Sequence, residues 1–304
     1  MKKFLMVTVL FITPILAQCD WDNNGVINVS DIVNMVDCIL NDCGTGDILG
    51  CTDPAATNYN QDATIDDCSC NIPGCTIPAA TNYNPNATVN DCSCEYGANT
   101  CFDVDGNSYE TVTIGNQEWM AENLKTTRYR NCDEIPTAWG YPEGAYAVYP
   151  FDWYLGNVES CEGDCAEVYG NLYNGYAVND TRDICPEDWH VPTDAEWTVL
   201  TDYLGGESVA GGKMKTMGTI EDGTGLWNSP NLGATNESGF SGLPGGRCAN
   251  QLNYVYMGLD GYFWSSTVYG GWGNWYRVLH HGIPDITRNY LINNEGYSVR
   301  CVRD

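Results

Sequence analysis

The chain has 304 residues, enough to bury a real core and to hold more than one unit. Forty acidic residues against 13 Lys and Arg give a formal charge of -27, which repels phosphate backbones and anionic lipid heads. Nucleic acid and membrane surfaces are therefore poor partners, and divalent cations are favoured ones.

Lys2 and Lys3 precede an apolar run from Phe4 to Leu16, too short to span a bilayer and laid out like a secretory signal peptide, so residues 1–17 are expected to be removed on export. All sixteen Cys lie beyond it. An even number in an exported chain predicts disulfides rather than free thiols, each closed loop contributing about 2–4 kcal/mol. Gln18 to Leu124 contains neither Lys nor Arg, and nine of ten Trp lie after residue 97. The first third thus lacks large apolar groups and internal counter-charge, and cross-links must supply much of its order.

Residues 18–45 open with Asp20-Trp-Asp22-Asn-Asn24-Gly-Val26-Ile-Asn28-Val-Ser-Asp31. Oxygen side chains stand at loop positions one, three, five, nine and twelve, Gly25 permits the sharp turn, and the Val26 carbonyl faces inward, which is the spacing calcium requires. Ile32, Val33, Val36, Ile39 and Leu40 give the following helix an apolar stripe. The segment resembles one calcium-binding half of a type I dockerin, which implies a possible cohesin-like partner, although the second half is missing.

Residues 46–96 hold two copies of a 24-residue unit, Gly50 to Cys70 and Gly74 to Cys94. The three Cys, the Asn-Tyr-Asn and the Ala-Thr positions persist, whereas Asp53, Asp62 and Asp66 become Ile77, Asn86 and Asn90. A cation array would lose most of its attraction by those changes. The repeats are read as disulfide-stapled spacers.

From residue 97 the character changes. Tyr109, Val112 and Ile114 alternate like a hairpin strand, Gly115-Asn116 is the turn, and Trp119, Met120 and Leu124 form a core cluster. Thr193 and Glu196 predict a capping box, behind which Trp197, Leu200 and Leu204 share one face of a helix that Gly205 and Gly206 stop. Tyr297, Val299, Cys301 and Val302 read as a short buried strand. Cys185 and Cys301 are expected to tie the helix entrance to it.

Cys-Pro-x-x-Trp-His-Val-Pro-x-x-x-Glu-Trp from Cys185, Gly-Asn-Gln-Glu-Trp-Met-Ala-Glu-Asn-Leu-Lys-Thr from Gly115, Phe263-Trp-Ser-Ser266 and the closing Ser298-Val-Arg-Cys-Val-Arg-Asp304 resemble the Fibrobacter succinogenes major paralogous domain family over roughly residues 100 to 304. That family is similar to the C-type lectin and formylglycine-generating-enzyme group of folds. The resemblance implies an α+β fold, C-type-lectin-like, with short strands and one or two helices, in a secreted or surface protein. It also implies that the segment after Ser266 forms the ligand face. There Tyr269, Trp272, Asn274, Trp275, Tyr276, His281 and Arg288 offer flat rings beside amides and charges, a set suited to glycan or a surface protein.

No reaction is legible. His190 reads as a hydrogen-bonded core residue, and His280 and His281, adjacent on a strand, point to opposite faces and cannot chelate one ion. Cys301 has no neighbouring Cys of the formylglycine-generating kind, and the carbohydrate motifs of calcium-dependent animal lectins are missing. The expectation is a non-catalytic, calcium-containing ligand-binding or adhesion protein. A structural attachment module is the alternative, and an extracellular glycan-acting enzyme a distant third.

Overall fold

The computed structural model describes residues 46–97, 100–139, 142–149, 165–249 and 253–304, together with 29, 30, 33 and 36. The signal-like segment and the calcium-type loop lie outside the described residues. Two compact units divide the chain, residues 1–95 and 96–304. No helix among the described residues is long and apolar enough to cross a membrane.

In the first unit each repeat carries one pair of two-residue parallel strands: β1 (Leu49–Gly50) with β2 (Ile65–Asp66), then β3 (Pro73–Gly74) with β4 (Val89–Asn90). Cys51–Cys70 and Cys75–Cys94 staple them with the same separation of 19 residues. One of the variable acids, Asp66, proves to be a turn former. Asp66 accepts from the Cys68 amide at 2.9 Å, and Asn90 in the second copy accepts from the Cys92 amide at 3.0 Å. An amide oxygen serves that turn as well as a carboxylate does, so the acid is dispensable. Val33 and Val36 are helical but exposed.

The second unit is mostly β, with short helices. A hairpin of β5 (Thr111–Ile114) and β6 (Gln117–Met120) turns at Gly115, which adopts φ +67°. Then come β7 (Tyr146–Ala147), α1 (Cys165–Tyr169), β8 (Leu172–Asn174), α2 (Gly175–Val178) and β9 (Trp189–His190). Helices α3 (Asp194–Tyr203) and α4 (Glu207–Met214) follow, and the chain closes through β10 (Gly245–Ala249), β11 (Asn253–Met257), β12 (Asp260–Tyr269), β13 (Gly273–His280), β14 (Ile286–Ile292), β15 (Gly296–Tyr297) and β16 (Val302–Arg303). One sheet runs β14-β13-β12-β10-β15-β8-β7, with β11 beside β10; a second runs β5-β6-β16-β9.

The capping box forms at the start of α3, Thr193 and Glu196 exchanging hydrogen bonds, while Trp197, Leu200 and Leu204 are buried. Four described helices replace the one or two expected. Helix α4 escapes sequence reading because it contains Gly211 and Gly212, poor helix formers. Tight packing requires them: a Cβ at Gly211 would lie 2.2 Å from the Asp285 carbonyl oxygen, and one at Gly212 2.4 Å from that of Gly233.

The expected single closing strand is also corrected. It divides into β15 and β16, in different sheets, with fully buried Arg300 between them. Arg300 donates to Asn123 Oδ1 at 2.6 Å, to Met120 O at 3.2 Å, to Ser241 O at 2.9 Å and to Phe240 O. A guanidinium holding four acceptors inside the protein leaves the backbone around it no room for a continuous ladder. Cys185 and Cys301 are disulfide-bonded, so β9 and β16 are both paired and covalently tied.

Even-number reasoning about cysteine fails at Cys101, a buried free thiol. Burial and the nearby Asp103 and Glu118 push it up to about 12, which keeps it protonated and inert.

Candidate surface site on strands β12 to β14

Strands β12, β13 and β14 form an antiparallel ribbon whose two faces meet different cores. One face sends Trp264 and Tyr276 against Tyr297, and the other sends Phe263, Leu279 and Ile286 against Trp197, Ala210 and Met214 of the helices. The second face is roofed by α3 and α4 only over part of its length. Its covered stretch ends at Asp194, the first residue of α3, which binds Arg277 and Arg288 from the two neighbouring strands.

Asp194 Oδ1 accepts from Arg277 Nη1 at 2.8 Å, and the carboxylate takes Arg288 in two-point fashion, Nε at 2.9 Å and Nη2 at 2.7 Å. Burial works against the charge on Asp194, yet the two guanidinium groups outweigh it and hold the carboxyl below the ordinary carboxylate value. Arg277 is almost fully buried, so this ion pair marks the edge of the protein interior.

Beyond that edge the same face continues uncovered. Trp275 pairs across the ribbon with Tyr290, and Tyr269 pairs with Gly273. Tyr269 and Tyr290 stack with ring centroids 3.7 Å apart, and Trp275 meets both edge-on at 5.0 and 5.4 Å. Gly270 and Gly271 take φ of +62° and +79° and turn the chain back at Trp272, whose ring stands 6.2 Å from both tyrosines. Arg288 lies 3.7 Å over the Trp275 ring. Trp272 is 52% exposed and Tyr290 37%, with Ile292 exposed on the same face. The result is a ridge of Trp, Tyr and Arg open to solvent. Rings and a paired guanidinium bind; they do not exchange protons at neutral pH.

Four of the residues singled out from sequence, Tyr269, Trp272, Trp275 and Arg288, therefore come together. Three do not. Asn274 is fully buried; it exchanges hydrogen bonds with Asn179 at 2.7 and 3.1 Å and donates to Ser265 O at 2.9 Å. Tyr276, 8% exposed, packs 4.8 Å from Tyr297. Both alternate with Trp275 along the strand and so face the opposite core. His281 follows the far end of β13, about 20 Å along the chain from Trp275. Its Nδ1 is 2.9 Å from Ser229 O, and its ring lies 4.6 Å from that of His280. The two His rings are thus adjacent, contrary to expectation, because the strand ends at His280 and the chain turns.

Tyr290 and Asp194 are the ridge residues that sequence reasoning missed. The alternation Arg288-x-Tyr290 was the available signal for the first. The second needed knowledge of which strands the helix start abuts.

His190 is hydrogen-bonded, as expected, its Nε2 to Glu196 at 2.9 Å and its Nδ1 to Asp304. Burial opposes its charge, but the two carboxylates outweigh burial and raise its pKa above 6.5. The expected calcium set, Asp20, Asp22, Asn24, Val26, Asn28 and Asp31, lies outside the described residues. Among those described, no group of three or more His, Cys, Asp or Glu could hold a metal ion.

Residues 112–303 match the family described as the Fibrobacter succinogenes major domain. No curated protein and no solved structure matches the chain.

Proposed function

Because this chain belongs to the Fibrobacter succinogenes major domain family, we propose that it is a non-catalytic ligand-binding or adhesion protein, secreted or held at the cell surface, which engages its partner through the aromatic ridge. One observation carries the reading: an ordered set of Trp, Tyr and Arg side chains continues a core-facing strand surface past the point where helix α3 begins. Aromatic and Arg side chains beside exposed Ile292 have the make-up of a protein-binding hot spot. Tyr269 and Tyr290 each give one face to the other and Trp275 gives one to Arg288, leaving Trp272 as the most open ring, so a surface protein that covers the whole ridge is favoured over a single stacked sugar.

A C-type-lectin-like fold belongs to the same proposal. Support comes from the way β16, at the end of the domain, pairs with β6 from its beginning. The repeats act as stapled spacers, and the oxygen side chains of Asp20, Asp22, Asn24, Asn28 and Asp31, with the Val26 carbonyl, form a donor set suited to calcium. A cohesin-like partner for that segment stays subordinate, since only one dockerin-like half exists.

The test is binding of the purified chain to surface-protein fractions and to a glycan array, alongside Trp272→Ala and Tyr290→Phe/Trp275→Ala variants. Protein binding that the variants lose supports the reading. Binding to neither, or variants that bind as the parent does, removes it and leaves the structural attachment module. Calcium is tested separately by calorimetry on the parent and Asp20→Ala; equal heats would end the metal assignment.

A further inference from the structure

The ridge ends on β14, which is also the last strand of its sheet, so its outer edge pairs with no other strand among the described residues. Which backbone groups reach that edge follows from the ladder. The His281 amide bonds Leu259 O, which sets the odd-numbered residues of β13 toward β12; the even-numbered Asn274, Tyr276 and Val278 therefore bond β14 at Leu291, Asn289 and Thr287. Arg288, Tyr290 and Ile292 alternate with these and turn their N–H and C=O groups outward. The Tyr290 amide agrees: it donates to a side chain, Asn289 Oδ1 at 2.8 Å.

Native proteins guard such edges with short strands, bulges, Pro or Lys. At other sheet ends β7 and β9 have two residues each and β5 has four. Strand β14 has seven, pairs with β13 without a register shift, and reads Ile-Thr-Arg-Asn-Tyr-Leu-Ile, with neither Pro nor Lys. Its one charge, Arg288, is tied to Asp194. The residues that turn their backbone outward are those whose side chains share the ridge face, so a strand laid on this edge extends the sheet and the ridge together.

Two features select the occupant. On the ridge side an added strand meets Tyr290 and Ile292, which suit apolar side chains; on the other it meets exposed Thr287 and Asn289, which suit polar ones. Charge decides between a second copy and a foreign chain. Asp285 precedes the strand and Glu207 is close enough to act on Arg288, so with Asp194 three acids stand against Arg277 and Arg288, in a chain of formal charge -27. A second copy is repelled and a basic segment is drawn in.

We propose that β14 takes up an extended basic segment of the surface protein, with alternating apolar and cationic side chains, as an added antiparallel strand. This mode of binding rests on the ridge reading and states how the partner is held, its backbone on the edge and its apolar side chains on the ridge.

Fluorescence anisotropy on the full chain, with a labelled synthetic peptide of alternating Lys and Val as probe, tests it. In an antiparallel pair the residues that bond Arg288, Tyr290 and Ile292 share their face, so the Val amides carry the bonds. Binding is expected to weaken at least about tenfold when the Val amides are N-methylated and to stay within about twofold when the Lys amides are. No binding, or binding that Val methylation leaves intact as charge attraction alone would, overturns the proposal. Ile292→Pro removes an outward N–H without costing a ladder bond and is expected to weaken the peptide at least about tenfold. Dimerisation of the parent that Ile292→Pro abolishes would give the edge to a second copy instead. If surface-protein fractions bind Ile292→Pro as they bind the parent but lose Trp272→Ala, the ridge works without an added strand and only the strand addition falls; if both variants bind as the parent does, the ridge reading falls too. The methylated peptides need no altered protein and decide the matter if Ile292→Pro proves unstable.

Discussion

Arg288 lays its guanidinium 3.7 Å over the Trp275 ring while its Nε–Nη2 edge is held by Asp194, so the outermost strand, the ridge and the start of helix α3 are mechanically one unit. A planar guanidinium can stack and pair at the same time, which an ammonium cannot. The ridge is therefore preorganised: its rings are positioned by the same carboxylate that neutralises buried Arg277.

Asp194→Asn should unsettle this arrangement. Removing the charge leaves Arg277 buried without a counter-ion, a change that costs about 3 kcal/mol in comparable buried pairs. Urea unfolding is expected to show a loss of that order. Because the Asp194 pKa is depressed, its contribution is present above the unfolded carboxylate value of 3.8 and is lost as pH falls through the folded one. The parent should lose stability on acidification in that window, and the variant should not. Equal midpoints would show that Asp194 does not carry the clamp.

His190 predicts the opposite sign on the alkaline side. Its folded pKa is raised, so protonated His190 stabilises the fold fully below its unfolded value of 6.5, and that contribution fades as pH rises through the folded pKa. Thermal stability of the parent should weaken as pH climbs from about 6.5 through the raised folded pKa, with His190→Gln following a flatter profile. An unchanged pH profile in the variant would refute the carboxylate bridge.

Arg300→Met should be among the most damaging substitutions in the domain. It leaves the carbonyls of Met120, Phe240 and Ser241 and the Asn123 Oδ1 without their donor in the interior. Each such orphan costs about 1–3 kcal/mol, so a loss of at least about 3 kcal/mol is expected in denaturant unfolding. Burial lowers the guanidinium pKa to about 9, still high enough to keep it charged at neutral pH. A loss under about 1 kcal/mol would mean that water replaces the guanidinium easily.

Cysteine chemistry separates two kinds of site. Cys101 should resist iodoacetamide at mild alkaline pH in the native protein and react on unfolding, its thiol being buried and pushed up to about 12. Replacing the Cys185–Cys301 pair by Ser opens a link across 116 residues and should cost about 5 kcal/mol by the chain-entropy estimate. Mass spectrometry of native and unfolded digests reads the alkylation, and urea unfolding reads the stability loss. Rapid alkylation of native Cys101 would contradict its placement.

Local grammar reached far in this protein. Thr193 and Glu196 announce the start of α3, Gly115 the first hairpin turn, and the 24-residue period the two stapled repeats, because each depends on neighbours a few residues away. The same reading overcounted the ligand face. Asn274, Trp275 and Tyr276 are consecutive and equally suited to binding, and alternation says only that the middle one faces away from its neighbours.

Sequence alone thus settled the family, the capped helix, the repeats and three of the four rings brought to the ridge, Tyr269, Trp272 and Trp275 but not Tyr290. Tertiary structure decided which of those rings meet solvent. Both faces of β12 and β13 are buried along much of their length, so polarity along those strands carries no inside or outside. The choice depends on where a distant element, helix α3, begins at Asp194 and stops covering the sheet, and that position follows from packing at Arg277 and Trp197 rather than from any residue in the strands themselves.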